Sequence, residues 1–310
     1  MLSYFPFDHE HFTMAMGVQA LGAGCLIEID TDHYQAEMAL KHQLLADDPV
    51  YYAQALPRTE ELQWEVLELL LPHMADSYPQ WFTLRIEQDG WHWHNHLLDE
   101  YQEFHPGNGG SLPQAPLEWL GRQVQEDLLL LDGSATAGFP LVAGLLCFPN
   151  SWCLDEKLGQ SFLAIHDPVP LFAEQIGRSS HLLLQRLKAG RSVWRLNWAF
   201  RSTARLDITP RATHEVQQSY AGLTPTTIGE QCFLRVERQT LTRLPRTGGI
   251  LFTVHTYQTP IAEVAADPMA AHRMARVLAT TPAEMLAYKG LTPFVEPLLT
   301  YLHTCHTQSD

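Results

Sequence analysis

Apolar side chains recur at helical spacing in several parts of the chain, and these parts are predicted to be helices. One helix is predicted to begin at Thr59 and end at Pro72, and an earlier one to begin with Asp30 or Thr31 as its N-cap. The apolar run 117–131 is predicted as one long helix. Four more helices are predicted at 169–188, 267–278, 281–288 and 293–303. The aromatic, Gly-rich segment 1–24 is typical of an extended docking arm.

Alternating or short continuous apolar runs predict the strands. The stretches 79–89 and 91–96 are joined by an Asp89-Gly90 turn and indicate a hairpin. Further strands are predicted at 139–148, 193–200, 231–240 and 250–257. Because turns and irregular loops connect the strands instead of regular helical crossovers, we expect a mostly antiparallel sheet surrounded by helices, class α+β. A single domain over residues 1–310 is expected, with the Gly/Pro-rich loop 105–116 as a possible internal boundary.

Composition and charge narrow the possible functions. The 310 residues are 45% hydrophobic, which allows a large core, and the net charge of −15 argues against duplex nucleic acid as a partner. Since no run of about 18 apolar residues occurs and the first residues lack a signal-peptide pattern, we expect neither a membrane span nor secretion. Five scattered cysteines without a Cys-x-x-Cys spacing favour a reducing, cytoplasmic setting.

Positive charge is concentrated in one part of this acidic chain. Residues 178–246 contain eleven arginines and one lysine against four carboxylates. This asymmetry indicates an anionic ligand bound by the basic segment. Pairing of the same arginines with acidic helix residues explains it equally well.

Three histidines at alternate positions form one candidate metal site. His92, His94 and His96 share one face of the predicted strand 91–96, as metal ligands must. Trp91 and Trp93 occupy the opposite face, which a half-buried strand also requires. A solvent-facing polar edge is therefore the simpler explanation.

A second candidate is His166, which ends an apolar stretch just before the Pro-fixed turn 168–170. An imidazole held by stiff backbone and partly shielded from water suits metal ligation or acid–base chemistry. A core histidine with one backbone hydrogen bond is the alternative, and spacing alone favours it.

The segment 234–240 is the most polar of the predicted strands. Alternation places Arg235, Glu237 and Gln239 on one face and Arg238 on the other. A carboxylate beside a guanidinium suits the binding of a cation and an anion at neighbouring points. An ion-pair ladder on an exposed face is the structural alternative.

The segment 194–198 alternates in the same way, with Arg195 and Asn197 opposite Trp194 and Trp198. Apolar area combined with hydrogen-bonding groups is typical of the lining around a flat, partly charged ligand. The chain contains neither a Gly-x-Ser-x-Gly motif nor a phosphate-binding glycine turn. It also has no Cys-x-x-Cys-His, so covalent haem attachment is not indicated.

Seven motifs occur along the chain in a fixed order: Leu146-Cys-Phe-Pro-Asn-Ser-Trp152, Glu156-Lys-Leu-Gly159, Ala164-Ile-His-Asp-Pro-Val-Pro170, Val193-Trp-Arg-Leu-Asn-Trp198, Phe233-Leu-Arg-Val-Glu-Arg-Gln-Thr-Leu241, Arg243-Leu-Pro-Arg246 with Ile250-Leu-Phe-Thr253, and Tyr288-Lys-Gly-Leu291. With 14–17, 26–30 and 125–127, they make the chain resemble the haem-dependent oxidative N-demethylase family, whose haem-binding subunit acts on dimethylamine. The resemblance extends over nearly the whole chain.

The resemblance implies a PAS-like antiparallel sheet wrapped by helices around a b-type haem. It implies oxygen-dependent removal of a methyl group from a small secondary amine, which yields a primary amine and formaldehyde. In the family, electrons come from a reductase with flavin and iron–sulfur centres. Because this chain has neither an iron–sulfur cysteine spacing nor a flavin motif, the donor is expected to be a separate protein. The expected partners are thus a small amine, O2 and a reductase, without nucleic acid or membrane.

The resemblance also suggests roles for individual residues. His166 is the expected axial ligand of the haem iron, with its other ring nitrogen held by a carbonyl or carboxylate. Arginines of the basic segment are expected to neutralise the haem propionates, and the candidates are Arg195, Arg235, Arg238 and Arg243. Asn197 is a further cofactor-binding candidate. Glu237, Arg238 and His255 are the candidate catalytic residues. Glu237 would bind the substrate ammonium or take its proton, and His255 stands where arginine is expected in many relatives.

Two other functions agree with the sequence. A haem-based gas sensor on a PAS-like fold would bind gases reversibly without releasing formaldehyde. A metal hydrolase built on His92, His94 and His96 would contain zinc in place of haem. An absorption spectrum of the purified protein separates the two haem proteins from the hydrolase.

Overall fold

The computed structural model describes residues 3–307, which form ten strands in two sheets surrounded by helices. The strands are β1 (Gln19–Ala20), β2 (Ala53–Ala55), β3 (Phe82–Glu87), β4 (Gly90–Asn95), β5 (Glu100–Phe104), β6 (Asp127–Leu131), β7 (Leu141–Leu145), β8 (Val193–Arg201), β9 (Phe233–Arg243) and β10 (Ile250–Pro260). The α-helices are α1 (Tyr34–Asp47), α2 (Pro49–Tyr52), α3 (Glu60–Ser77), α4 (Pro116–Gly121), α5 (Phe162–His166), α6 (Arg178–Arg186), α7 (Thr213–Ser219), α8 (Ile228–Gln231), α9 (Ile261–Val264), α10 (Pro268–Thr280), α11 (Ala283–Tyr288) and α12 (Val295–Thr307). A π-helix, Phe172–Gly177, leads into α6.

Seven strands make up the large sheet, in the order β1-β8-β9-β10-β6-β7-β2. Every neighbouring pair is antiparallel. The expected α+β class with an antiparallel sheet is therefore confirmed, while likeness to a PAS domain stays a prediction. At its centre, β9 and β10 pair along eleven residues each, and Gly248 supplies a left-handed position in their connection with a φ of 75°.

The N-terminal arm covers one face of the large sheet, as its aromatic composition predicts. Tyr4 packs on Trp194 with ring centroids 5.8 Å apart, and Phe7 packs on Trp198 at 5.0 Å. The arm then pairs with the edge of β8 through β1. We call this covered side the arm face and the other side the cleft face.

The strands β3, β4 and β5 form a separate small sheet. Trp93 and Phe104 on its inner side are almost fully buried and join a core cluster with residues of α3, α4 and β6. The predicted hairpin is confirmed, and β5 adds a strand that the sequence pattern did not reveal. This core cluster contains residues from both sides of the loop 105–116, so apolar packing crosses the possible boundary.

The prediction of one long helix over 117–131 is wrong. The helix α4 ends at Gly121, and after a turn the chain continues as β6 from Asp127. Two buried charges explain the change. Lys41 on α1 donates from Nζ to the carbonyls of residues 124, 125 and 126, and the Asp127 carboxylate accepts from two amides that follow β7. These tertiary contacts keep the backbone in an extended conformation where local propensity alone favours helix.

Two predicted helix ends also differ from the structure. Pro72 does not end α3, which continues to Ser77 because Leu71 and Met74 on its last turns are fully buried in the core. The first helix begins at Tyr34, since Asp30 and the residues after it form a turn in which the Asp30 carboxylate accepts from the amide of Asp32. In the described part of the chain, residues 3–307, no helix is both long and apolar enough to cross a bilayer.

Candidate functional site

The strand register gathers polar side chains on the cleft face at the centre of the large sheet. Asn197 on β8, Glu237 on β9 and Thr256 on β10 are direct cross-strand neighbours. Arg195 pairs with Gln239 one step further along. Because paired residues of antiparallel strands project to the same side, these five side chains share one surface.

Glu237 is the centre of this surface. Its carboxylate is largely buried, and its Oε2 accepts from the side-chain amides of Asn197 at 3.2 Å and Gln239 at 2.9 Å. Its Oε1 lies 4.0 Å from Nε of Arg235. Two amides therefore fix one carboxylate oxygen, while the second accepts no hydrogen bond from the described residues and has Arg235 as its nearest charged neighbour.

Cationic side chains surround Glu237. The charge of its carboxylate acts on Lys157, Arg195, Arg201 and Lys289. Burial lowers the pKa of all four, and that of Lys289 falls to about 7. Three of them, Lys157, Arg195 and Lys289, lie deep in the protein yet keep part of their surface accessible. We call the region that these partly accessible cations share with Glu237 the cleft, and its net charge is positive.

Arg195 and Lys157 offer unused binding capacity in the cleft. The Nε of Arg195 is buried and has no hydrogen-bond partner in the described residues. The Nζ of Lys157 lies 4.1 Å from the ring centroid of Trp152. An unpaired buried donor is costly, so an anion that accepts from Arg195 is stabilised here.

His166 is the imidazole of this cleft. Its position is fixed at the end of α5, where Nδ1 lies 2.7 Å from the carbonyl of Phe162 and the ring stacks on Phe172 at 4.4 Å. The bond identifies Nδ1 as the protonated nitrogen, because a carbonyl can only accept. Nε2 has no hydrogen-bond partner in residues 3–307 and retains accessible surface.

The protonation state of His166 is set by its surroundings. Burial, together with the nearby charges of Lys157 and Arg195, lowers its pKa to about 4 against one backbone hydrogen bond that raises it. The imidazole is thus neutral at physiological pH. A neutral imidazole with Nδ1 anchored and Nε2 open is the form that binds a metal.

Two of the predicted cofactor-binding arginines are occupied by the protein itself. Arg235 is fully buried, and its guanidinium donates to the carbonyls of Leu206, Phe148 and Pro149. Arg243 donates from all three nitrogens to backbone carbonyls, those of Leu184 and Leu187 at the end of α6 and that of Gly248 between β9 and β10. Of the predicted arginines on the cleft face, Arg195 is the one that makes no hydrogen bond to the described residues.

Arg238 and His255 lie on the arm face, on the side of the sheet opposite to Glu237. In the register of β9 and β10, Arg238 is paired with His255. This pair is next to the pair of Glu237 and Thr256, so its side chains project from the opposite face of the sheet. Arg238 lies 3.0 Å from Glu28, and Nδ1 of His255 lies 3.0 Å from the Glu126 carboxylate. One site cannot include all three predicted catalytic residues, because the sheet itself separates them.

The three predicted metal ligands, His92, His94 and His96, do lie on one exposed side of the small sheet. Their ring nitrogens are nevertheless not close enough together to bind one metal ion. The rings of His94 and His96 are 3.9 Å apart, and His96 interacts with Thr83. In the described residues, the group with metal-ligand spacing is Glu87, Asp89 and His92, two of them exposed carboxylates. The arrangement that a three-histidine hydrolase requires is absent from residues 3–307.

Sequence reasoning did not single out Lys157, Arg201 and Lys289. A signal was present for two of them, since Lys157 lies in the motif 156–159 and Lys289 in the motif 288–291. Neither motif contains a pattern with chemical meaning by itself. Only their convergence on Glu237 gives these cations a role.

Taken together, the fold and the cleft define an α+β protein with a neutral imidazole beside a set of cations on one face of an antiparallel sheet. The comparison with known families agrees with this class. The model of the family described as haem-dependent oxidative N-demethylase, alpha subunit-like, matches residues 17–299. The chain therefore belongs to this family, which is named for one subunit of a haem-dependent oxidative enzyme.

Proposed function

We propose that this protein binds haem b in the electropositive cleft and catalyses oxidative N-demethylation of a small secondary amine such as dimethylamine. The observation that carries the proposal is His166, whose anchored, neutral imidazole leaves Nε2 open in a cleft with an unpaired arginine. Family membership over residues 17–299 supports the same reaction class.

The described residues fit a haem. His166 would be the axial ligand, and Arg195 and Lys157, the two cations whose charges act most directly on His166, would neutralise the propionates. Asn197, which follows Arg195 on the same face of β8 and donates to Glu237, would also contact the cofactor. When bound, haem supplies the activation of O2 that oxidises the methyl carbon beside nitrogen, and the products are formaldehyde and a primary amine.

Glu237 would bind the substrate. Protonated dimethylamine is a small cation with two N–H donors, and Glu237 presents Oε1 for them while Asn197 and Gln239 hold its Oε2. The same Oε1 can accept a proton from the ammonium, which frees the nitrogen lone pair.

Arg238 and His255 would act as positioning residues from the arm face. Arg238 donates to the carbonyl of Cys25 at 2.6 Å and pairs with Glu28, while His255 pairs with Glu126 just before β6. These bonds hold β9 and β10 from the arm face, and so would fix the positions of Glu237 and Thr256 on the cleft face.

The electrons would come from a separate reductase with flavin and iron–sulfur centres. All five cysteines of the chain are free thiols, two of them partly accessible, which agrees with a reducing cytoplasmic setting. The purified protein should show a Soret band, and with such a reductase and O2 it should release formaldehyde from dimethylamine. Reversible gas binding without formaldehyde would indicate the sensor, and failure to bind added haem would refute both.

The substitution Glu237→Gln tests the assignment of the substrate carboxylate. We expect haem content to stay unchanged and formaldehyde release to fall by about 10²-fold, because the amide can neither take the proton nor balance the ammonium charge. Formaldehyde release and the absorption spectrum are measured together across amine concentrations. Glu215→Gln is the matched control, since Glu215 is an exposed acid paired with Arg205. Unchanged turnover in the Glu237 variant would refute the assignment.

A further inference from the structure

The tip of the β3–β4 hairpin brings three metal-binding side chains together. Glu87 ends β3, Asp89 lies in the short turn that follows, and His92 lies on β4. One ligand atom from each of these residues lies within 4.8 Å of the other two. The group lies on the small sheet, whereas the cleft lies on the large one. It is therefore a separate candidate site.

Hydrogen bonds determine which ring nitrogen of His92 is free. The Tyr101 hydroxyl donates to the Glu103 carboxylate at 2.7 Å, because a carboxylate can only accept. The hydroxyl oxygen is then the acceptor for Nδ1–H of His92, which lies 2.9 Å away. In the neutral imidazole, Nε2 therefore carries the lone pair. A chain of this kind, which ends on a carboxylate, is typical of histidines that are oriented to bind a metal.

The position of Nε2 fits a metal ligand. This atom is buried and makes no hydrogen bond to the described residues, and Oδ1 of Asp89 lies 3.5 Å from it. A good N–H···O hydrogen bond is shorter, at about 2.9 Å. Two ligands of one tetrahedral zinc, each about 2.0–2.1 Å from the ion, are about 3.3 Å apart. The separation of Nε2 and Oδ1 is thus closer to that of two ligands sharing a metal ion than to that of two atoms sharing a proton.

The local charge also favours a cation. Glu87, Asp89 and Glu103 place three carboxylates around His92. Arg85, the cross-strand neighbour of His92, opposes them with a single positive charge. A protonated His92 that forms ion pairs with Asp89 and Glu103 is the alternative way to balance these carboxylates.

We propose that Glu87, Asp89 and His92 bind one divalent metal ion, and that zinc is the metal this ligand set suits. One imidazole with two carboxylates suits zinc better than magnesium or calcium, which prefer oxygen ligands alone. Water would complete the coordination, because three protein ligands leave one position of a tetrahedral zinc open. The ion would tie the turn to both strands of the hairpin. The proposal depends neither on haem nor on N-demethylation.

Titration of the purified full chain with zinc, in competition with a chromophoric chelator, tests the proposal. We expect one zinc equivalent to bind, and either His92→Ala or Asp89→Asn to weaken this binding at least about 10-fold, because each removes a direct ligand. Tyr101→Phe keeps all three ligands but removes the acceptor of Nδ1–H, so it should weaken zinc binding about 10-fold as well. X-ray absorption at the zinc edge should show one imidazole per ion.

His94→Ala is the matched control, since His94 lies on the same strand and the same face but packs against the ring of His96. It should bind zinc like the unaltered protein, and circular dichroism verifies that each variant is folded. Failure to bind one equivalent, or equal affinity in the unaltered protein and His92→Ala, would overturn the proposal and leave His92 as an ion-paired side chain. Loss of binding in His94→Ala, with two imidazoles per ion, would assign the zinc to His94 and His96 and would overturn it too.

Discussion

Replacing His166 by alanine is expected to remove the haem. The imidazole is the candidate iron ligand whose orientation the protein fixes, through the bond from Nδ1 to the Phe162 carbonyl and the stack on Phe172. Loss of a residue that only orients a metal ligand typically costs about 10–100-fold in metal affinity, so we expect loss of the ligand itself to lower haem affinity at least about 100-fold. The Soret band of the purified variant and a haem titration measure this.

Two variants distinguish ligation from folding. His166→Gly should regain a Soret band when imidazole is added, because a free imidazole can fill the space and ligate the iron. His214→Ala removes an exposed histidine of the basic segment and should bind haem like the unaltered protein. A His166→Ala protein with full haem content and an unchanged spectrum would refute the assignment.

The loss of haem binding at low pH is a further test of His166. Since burial holds the pKa of His166 at about 4, its Nε2 lone pair remains available throughout the neutral and mildly acidic range. Protonation competes with iron only as pH falls to about 4, well below the ordinary range for histidine.

Breaking the buried pair of His255 and Glu126 is expected to lower the free energy of unfolding more than any other single change on the arm face. Both side chains are at most 1% exposed, and their charged atoms lie 3.0 Å apart. Either His255→Leu or Glu126→Leu leaves one buried charge without its partner, which typically lowers the free energy of unfolding by about 3–5 kcal/mol. Urea unfolding of each variant measures the loss.

The double variant His255→Leu with Glu126→Leu should lose less than the two single losses added together, because no unpaired charge remains. Some loss should persist, since the Glu126 carboxylate also accepts from the amide of Glu28 at 2.7 Å. The half-exposed pair of His272 and Glu10, 3.7 Å apart, serves as control, and His272→Ala should cost less than about 1 kcal/mol. Full additivity in the double variant would show that the two buried groups do not interact.

The pair also predicts how stability depends on pH. Burial opposes both charged forms, but the mutual attraction and hydrogen bond outweigh it, so the pKa of Glu126 is lowered and that of His255 is raised. The contribution of Glu126 is present above its ordinary value of 4.5 and lost as pH falls through the lowered one. The contribution of His255 is present below 6.5 and lost as pH rises through the raised one. The stability difference between the unaltered protein and His255→Leu should therefore be largest between pH 4.5 and 6.5.

The sequence by itself determined which residues share a strand face. Alternation is a local property of extended backbone, so Arg195 with Asn197 and Glu237 with Gln239 could be grouped before the fold was known. It also separated Arg238 from Glu237, and the structure keeps them on opposite sides of the sheet. The seven ordered motifs determined the family, because several matches in a fixed order are far more specific than any one of them.

Only the tertiary structure decided which of these residues form one site. Lys157 and Lys289 come from segments far apart in sequence, and packing alone brings both cations near Glu237. Arg235 and Arg243 look equivalent to Arg195 in sequence, yet loop carbonyls occupy both of them. The segment 117–131 is the plainest case, since local propensity favours helix there. Because a buried ammonium and a buried carboxylate must each be satisfied by backbone groups, Lys41 and Asp127 turn its second half into a strand.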